Sequence, residues 1–292
     1  MNSEPFVTHR SLLFTVAYEM LGSAADAEDV VQETWLRWDG IGDAARAQVR
    51  DPRAYLVRVV TRQALNRLRS LARRREEYVG DWLPEPLLTS PDVAEDVELA
   101  ESVSIAMLTV LETLGPAERA VFVLREVFDM PYDEIAEAVD RSAAAVRQIA
   151  HRAREHVAAR RPRMAVSRTE QQRVVERFLA ALTTGDVQGL MDVLAPDVVL
   201  IADGGGVARA VLRPIEGIRR VVALLGRFPE VAPGVELNRL LVNGALAARF
   251  DPGGELDTAI TFAVEDGRIT RIYAIRNPHK LSRLAEVAEL RR

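Results

Sequence analysis

The stretch Tyr132–Val157 most restricts what this chain can become, because it sets two short amphipathic helices on either side of a tight break. Ile135, Ala136 and Val139 recur at helical spacing and form the apolar face of the first helix. Asp140 and Arg141 interrupt that pattern. Ser142 can then accept a backbone N–H and start a second helix, with Val146, Ile149, Ala150 and Ala153 on one face. Small residues at the crossing and a capped turn describe a helix-turn-helix. The second helix of such a unit enters the major groove, where Arg can bridge guanine and Gln adenine. Candidate DNA contacts here are Arg141, Ser142, Ala144, Arg147, Gln148, His151 and Arg152. From 141 to 163, seven arginines (141, 147, 152, 154, 160, 161 and 163) face one acid, Glu155. A merely solvated basic helix is the plainer reading, but the clustered arginine and the capped turn together favour DNA. Asp140 stands where glycine is commonest, and Asp tolerates the left-handed conformation better than most residues.

A chain of 292 residues has room for two or three domains. Its net charge of −5 excludes a uniformly basic coat, so the local clustering of arginine carries the argument. The absence of cysteine excludes disulfides, thiolate metal sites and thiol nucleophiles, and fits a reducing cytoplasm. No apolar run is long enough to span a bilayer, and the N-terminus has no signal-peptide pattern, so no membrane association is expected.

Taken in order, residues 9–22 read as an amphipathic helix (Leu12, Leu13, Val16, Ala17, Met20). Ser23 is a candidate cap for the next helix, with Asp26 in a capping-box position. There Val30, Val31, Thr34 and Leu36 face a core, opposite an acidic face of Asp26, Glu28, Asp29 and Glu33. Asp51-Pro52 opens a third helix, whose polar side carries Arg53, Arg58, Arg62, Arg67, Arg69, Arg73, Arg74 and Arg75. That much arginine exceeds what solubility needs and suits tracking phosphates. Trp35 and Trp38 just upstream are either core residues or platforms for unpaired bases. From Val79 to Asp96 prolines interrupt helical periodicity, and the apolar Trp82, Leu83, Leu87 and Leu88 predict a linker that docks on something. Helices resume over 97–114 and from Pro116. Beyond 163 come two helices (170–183 and 187–194). Strand-like runs follow at 198–202, 237–242, 245–250, 258–264 and 269–276, with Asp266-Gly267 as a hairpin signal. Helices followed by a meandering antiparallel sheet predict an α+β domain.

With these residues in view, the chain resembles bacterial RNA polymerase sigma factors of the extracytoplasmic-function group. Residues 25–37 resemble the second sigma domain of the family, and residues 133–154 its fourth. Trp82-Leu83-Pro84-Glu85-Pro86-Leu87 resembles the linker motif of a subgroup with a C-terminal SnoaL-like extension of cone-shaped, NTF2-like fold. Asp203-Gly204-Gly205-Gly206-Val207 and Asn277-Pro278-His279-Lys280-Leu281 resemble two further subgroup motifs, with valine in place of lysine and histidine in place of aspartate. The resemblance implies two all-α sigma domains followed by an α+β domain: 1–78, a linker 79–98, 99–163 and 164–292. It implies that Asp26, Asp29 and Glu33 face the polymerase clamp and that Arg58, Arg62, Arg67 and Arg69 engage the −10 strand. The linker would thread into the polymerase and the helix-turn-helix would read the −35 element, so the partners are core RNA polymerase (clamp and flap) and promoter DNA.

Two other readings compete. A self-sufficient repressor with a ligand-sensing C-terminal domain needs neither the arginine-rich helix nor the acidic one. An enzyme in the cone would draw on Asp197, Asp203, Asp257 and His279, which show no motif spacing. The expectation is therefore a chain without catalytic residues, cofactor or metal, with room for an unidentified small ligand in its last domain. The last prediction from sequence is that residues 203–206 and 277–281 form a surface against the linker or the second sigma domain.

Overall fold

The computed structural model describes residues 4–160, 167–233, 235, 237–251 and 257–292, and for 72–74 the helix path alone. The expected boundary at 163/164, Arg161 and Arg163, and the side chains of Arg73 and Arg74 lie outside the described residues. Among the described residues no helix is long and apolar enough to cross a membrane.

Helices α1 (Glu4–Leu21), α2 (Ala24–Gly40), the short α3 (Gly42–Arg46) and α4 (Pro52–Glu76) form the first group. Ser23 accepts the Asp26 N–H at 3.2 Å and Asp51 the Ala54 N–H at 3.0 Å, which fixes where α2 and α4 begin. Leu13, Val16, Val30, Leu56 and Val60 are fully buried where α1, α2 and α4 meet. Leu36, expected to face the core, is 62% exposed, because it lies beyond the stripe set by Val30, Val31 and Thr34. Trp38 is buried with its ring 5.6 Å from Tyr55, so it is a core residue and not a platform for bases.

The linker contributes a two-residue strand β1 (Leu88–Thr89) and, against expectation, a short helix α5 (Pro91–Glu95) with proline in its first turn. The helices expected over 97–114 are α6 (Val97–Ser102) and α7 (Ile105–Leu111), and Ser104 starts the second by accepting the Met107 N–H at 3.1 Å. Helix α8 (Pro116–Phe122) runs into a π-type turn, Val123–Val127. Then come α9 (Tyr132–Val139) and α10 (Ala143–Ala158), joined through Asp140 at φ 55° and capped by Ser142. The Arg141 N–H closes the turn on Ala136 O at 3.1 Å.

The last part holds α11 (Arg168–Thr184), α12 (Val187–Val193), β2 (Leu194–Asp203), β3 (Ile215–Glu216), α13 (Ile218–Leu225) and α14 (Phe228–Val231). Strands β4 (Leu237–Val242), β5 (Ala245–Phe250), β6 (Thr258–Glu265) and β7 (Arg268–Ile275) follow, then α15 (Pro278–Leu281) and β8 (Val287–Ala288). Strand order is β3-β2-β7-β6-β5-β4-β1-β8. The meander β4 to β7 is antiparallel as predicted, but β2 runs parallel to β7 (Leu200 opposite Ile272). Periodicity marks a strand without naming its neighbour, which is why this pairing was not legible. Asn243-Gly244 and Asp266-Gly267 have positive φ at both positions, as two-residue hairpins require.

Both faces of this sheet are covered. Phe178, Leu182, Leu200 and Ile272 belong to a core under the domain's own helices, into which Phe228, Phe250 and Phe262 also pack. That filled interior lends no support to a ligand in the cone. On the other face Leu83 of the linker and Ile105 and Ala106 of α7 pack with Ala247, Ala263, Tyr273 and Ile275.

Candidate nucleic-acid interface and interdomain junction

Asp203 ends β2 with no exposed surface. Its carboxylate accepts the Tyr78 hydroxyl at 2.6 Å, the Leu83 N–H at 2.8 Å and Lys280 Nζ at 2.6 Å. Lys280 Nζ also donates to Leu83 O at 2.5 Å and sits 4.0 Å from the Trp82 ring centroid. One linker residue, Leu83, is thus held at both its N–H and its carbonyl by an ion pair of the C-terminal domain. Burial lowers the Lys280 ammonium to about 8, while Asp203 acts the other way. Asn277 Nδ2 donates to the Tyr78 hydroxyl at 2.8 Å, and the Arg276 and Asn277 N–H groups donate to Asp203 O at 2.7 and 3.0 Å. Gly205, at φ +58°, leaves no room for a side chain: a Cβ there would lie 2.2 Å from Asn277 Nδ2. The two motif departures, Val207 and His279, are both exposed, whereas Asp203, Asn277, Lys280 and Leu281 are buried. Pro278 is exposed as the first residue of α15.

Further along the linker, Glu85 serves as a cap for α2. Its carboxylate accepts Ser23 Oγ at 2.9 Å and the Ala24 and Ala25 N–H groups at 2.6 and 3.1 Å. Those N–H groups are among the orphan donors of a helix N-terminus, where negative charge is also favoured. Pro84 and Pro86 are buried on either side. Asn243, from the β4–β5 turn, accepts the Leu87 N–H at 2.9 Å and donates to Tyr18 Oη and Val103 O, both at 2.7 Å. One side chain therefore ties the linker, α1, the α6–α7 break and the sheet together. Strand β1 pairs with β4 on one side and β8 on the other. The tail beyond β8 buries Leu290, donates the Arg291 N–H to Thr15 Oγ1 at 3.0 Å and pairs Arg292 with Asp96 and Glu98.

A row of charges crosses the same junction. Arg75 stacks over Trp82 at 4.1 Å and pairs with Glu112, which also pairs with Arg119. Arg119 Nε donates to Glu19 O at 3.0 Å. The Glu19 carboxyl is wholly buried, accepts Ser102 Oγ at 2.8 Å through one oxygen, and has its other oxygen unpartnered. Burial pushes its pKa up to about 8.

The DNA-contact candidates fall into two sets. Arg141, Ser142, Ala144, Arg147, Gln148, His151 and Arg152 are all exposed, at and along one side of α10. The α4 candidates are engaged. Arg58 pairs with Glu137 of α9 at 2.5 Å, and Arg62 donates to Glu137 O at 2.7 Å. Arg67 lies among Asp26, Asp29 and Glu33 at 3.6, 3.2 and 3.6 Å, so a candidate for DNA and the candidates for polymerase face one another. Arg69 is exposed and reaches Asn66 at 3.2 Å. The residues weighed for catalysis do not converge: Asp203 is held by Lys280, Asp257 pairs with Arg276, and Asp197 and His279 lie on the surface.

Sequence reasoning missed Tyr18, Tyr78, Asn243, Glu112 and Arg119. For Asn243 a signal existed, since Asn-Gly between two strand-like runs is a hairpin dipeptide, although nothing local says what its side chain binds. The others are single polar residues in helical surroundings, with no pattern to lift them out.

Two helical domains, one carrying a helix-turn-helix and the other an arginine-lined helix, joined through a linker clamped on an α+β domain, define a modular promoter-binding architecture. The Sigma-70 region 2 model matches residues 6–74, the Sigma-70 region 4 model residues 104–157 and the SnoaL-like domain model residues 175–272. The chain belongs to the extracytoplasmic-function (ECF) RNA polymerase sigma factors, in the form that carries a C-terminal SnoaL-like domain. It is 40% identical to the ECF RNA polymerase sigma factor SigJ of Mycobacterium tuberculosis over 97% of this chain and 94% of that one. Against the probable ECF sigma factor SigI of the same species, identity is 32% over 94% and 93%. The crystal structure of M. tuberculosis SigJ superposes with a TM-score of 0.76 at 36% identity, over 95% of this chain and 97% of that one.

Proposed function

We propose that this sigma factor joins core RNA polymerase in the cytoplasm, directs it to promoter DNA, and is regulated from within by its SnoaL-like domain. In this reading the units are residues 1–78, 79–98, 99–163 and 164–292. Helix α10 reads the −35 element through Arg147 and Gln148, and α4 engages the −10 strand through Arg58, Arg62, Arg67 and Arg69. Asp26, Asp29 and Glu33 meet the polymerase clamp. The observation that carries the regulatory part is the grip of the Asp203–Lys280 pair on the backbone N–H and carbonyl of Leu83. While it holds, the linker stays in the sheet, and Glu137 of α9 occupies Arg58 and Arg62. Binding polymerase and promoter then requires a switch from this closed arrangement to an open one. In this closed arrangement α4 of the free sigma factor is masked from the −10 strand without a separate inhibitor.

The test is transcription in vitro with core polymerase on promoters from the source genome. Asp29→Arg with Glu33→Arg is expected to abolish co-purification with core polymerase while leaving the circular-dichroism spectrum unchanged. Undiminished co-purification removes that assignment, and failure of the wild-type chain to initiate at any promoter removes the whole reading.

A further inference from the structure

The C-terminal domain carries an arginine cluster that the junction does not use. Between Val207 and Pro229 stand Arg209, Arg213, Arg219, Arg220 and Arg227, against one acid, Glu216. Arg227 approaches Glu230 at 3.6 Å. The other four are exposed and have no acidic partner among the described residues. A surface shaped only for solubility mixes both signs. This one does not.

Its place in the fold matters more than its count. Arg209 and Arg213 precede β3, and Arg219 and Arg220 follow it, and β3 is one of the two edge strands of the sheet. The loop that bears the first pair is fixed, because Arg276 Nη1 donates to Arg209 O at 2.6 Å and the Val207 and Ala208 N–H groups return to Gly204 O. It also abuts the chain just beyond α4. A Cβ at Gly206 would meet Val79 at 3.1 Å, and one at Gly80 would meet Leu212 at 3.6 Å. Arg69 lies roughly 10 Å of helix axis before the end of α4. The chain leaving α4 thus packs, through Val79 and Gly80, on the loop that bears Arg209 and Arg213.

The geometry points to a second phosphate-binding surface: the β3 edge, through Arg209, Arg213, Arg219 and Arg220, holds the sugar-phosphate backbone of promoter DNA beside the segment that α4 engages. The inference rests on the reading of α4 as a DNA-binding helix. Binding to phosphate adds affinity and salt dependence without adding sequence preference. The SnoaL-like domain is then a DNA-binding part of the sigma factor as well as a clamp on its linker.

The experiment is fluorescence anisotropy of the full chain on a short labelled duplex of unrelated sequence, titrated with salt. The four-fold variant R209A/R213A/R219A/R220A is expected to flatten the plot of log K against log salt by about 0.9 for each phosphate it no longer neutralises, up to ~3.6. The corresponding Arg→Lys set keeps the charge and is expected to restore most of the slope, which separates electrostatics from misfolding. R69A, which removes the α4 arginine left exposed in the closed arrangement, is run in parallel. If it changes nothing while the β3-edge set does, the β3 edge binds phosphate but its placement beside α4 is overturned. An unchanged slope in the four-fold alanine variant overturns the inference, as does absence of wild-type binding at the lowest salt. Loss of core-polymerase co-purification with an intact DNA slope overturns it too, and assigns the arginines to an acidic protein surface.

Discussion

Tyr78→Phe removes one oxygen from the junction and nothing else, which makes its effect calculable. That hydroxyl donates to Asp203 at 2.6 Å and accepts from Asn277 at 2.8 Å. A hydrogen bond to a charged group contributes about 1.5–3 kcal/mol. The lower end applies here, since Tyr78 is only half-buried and Asp203 keeps both Lys280 and the Leu83 N–H. Leaving the Asn277 amide without its acceptor adds a smaller cost. The expected loss is about 2 kcal/mol of linker docking, which raises the open population roughly 30-fold at 1.4 kcal/mol per tenfold. Amide hydrogen exchange reads that opening directly. The reporters are the N–H groups of Leu83, Glu85 and Leu87, which donate to Asp203, Gly22 O and Asn243 in the closed arrangement. Their protection should fall by about the same factor, while the core amides of α1 exchange as before. Protection across 82–88 within a factor of ~3 of wild type would show that the Tyr78 hydroxyl does not hold the linker and would refute the clamp argument.

Glu137→Ala removes the carboxylate paired with Arg58 and is expected to strengthen binding of single-stranded −10 DNA by the free chain several-fold in anisotropy; weaker or equal binding would show that α9 does not mask α4. Arg147→Ala should cost about 1–3 kcal/mol on the cognate −35 sequence and relax selection there, whereas equal weakening on all sequences would make it a phosphate contact. Between about pH 4.5 and 8 the closed arrangement should also loosen with rising pH. The buried Glu19 carboxyl titrates near 8 instead of its ordinary 4.5, so the closed state holds a proton that the open state releases, and closure weakens as pH rises through that window. Exchange at 82–88 should therefore accelerate with pH beyond its intrinsic dependence, and Glu19→Gln should abolish the excess; an equal excess in that variant would exclude Glu19 as its source.

What the sequence determined by itself was local. Helical spacing and a serine cap fixed the helix-turn-helix, as the Ser142 cap and the left-handed Asp140 show. Alternating apolar residues and Asp-Gly marked the strands, and prolines marked the linker. Each is a short-range consequence of backbone sterics and of burying one face, so each can be read within a window of a few residues. The tertiary structure decided which surfaces meet. Glu85 looked like a linker acid and caps α2 across 60 residues of chain. Asn243 looked like a turn residue and joins four segments. The arginines of α4 looked free for DNA, yet Arg58 and Arg62 rest on Glu137 and Arg67 on the acidic helix. Burial makes these polar groups find partners, because an unpaired one costs more than a distant hydrogen bond returns. Which partner each one finds depends on packing between residues far apart in the chain, and no local pattern encodes that.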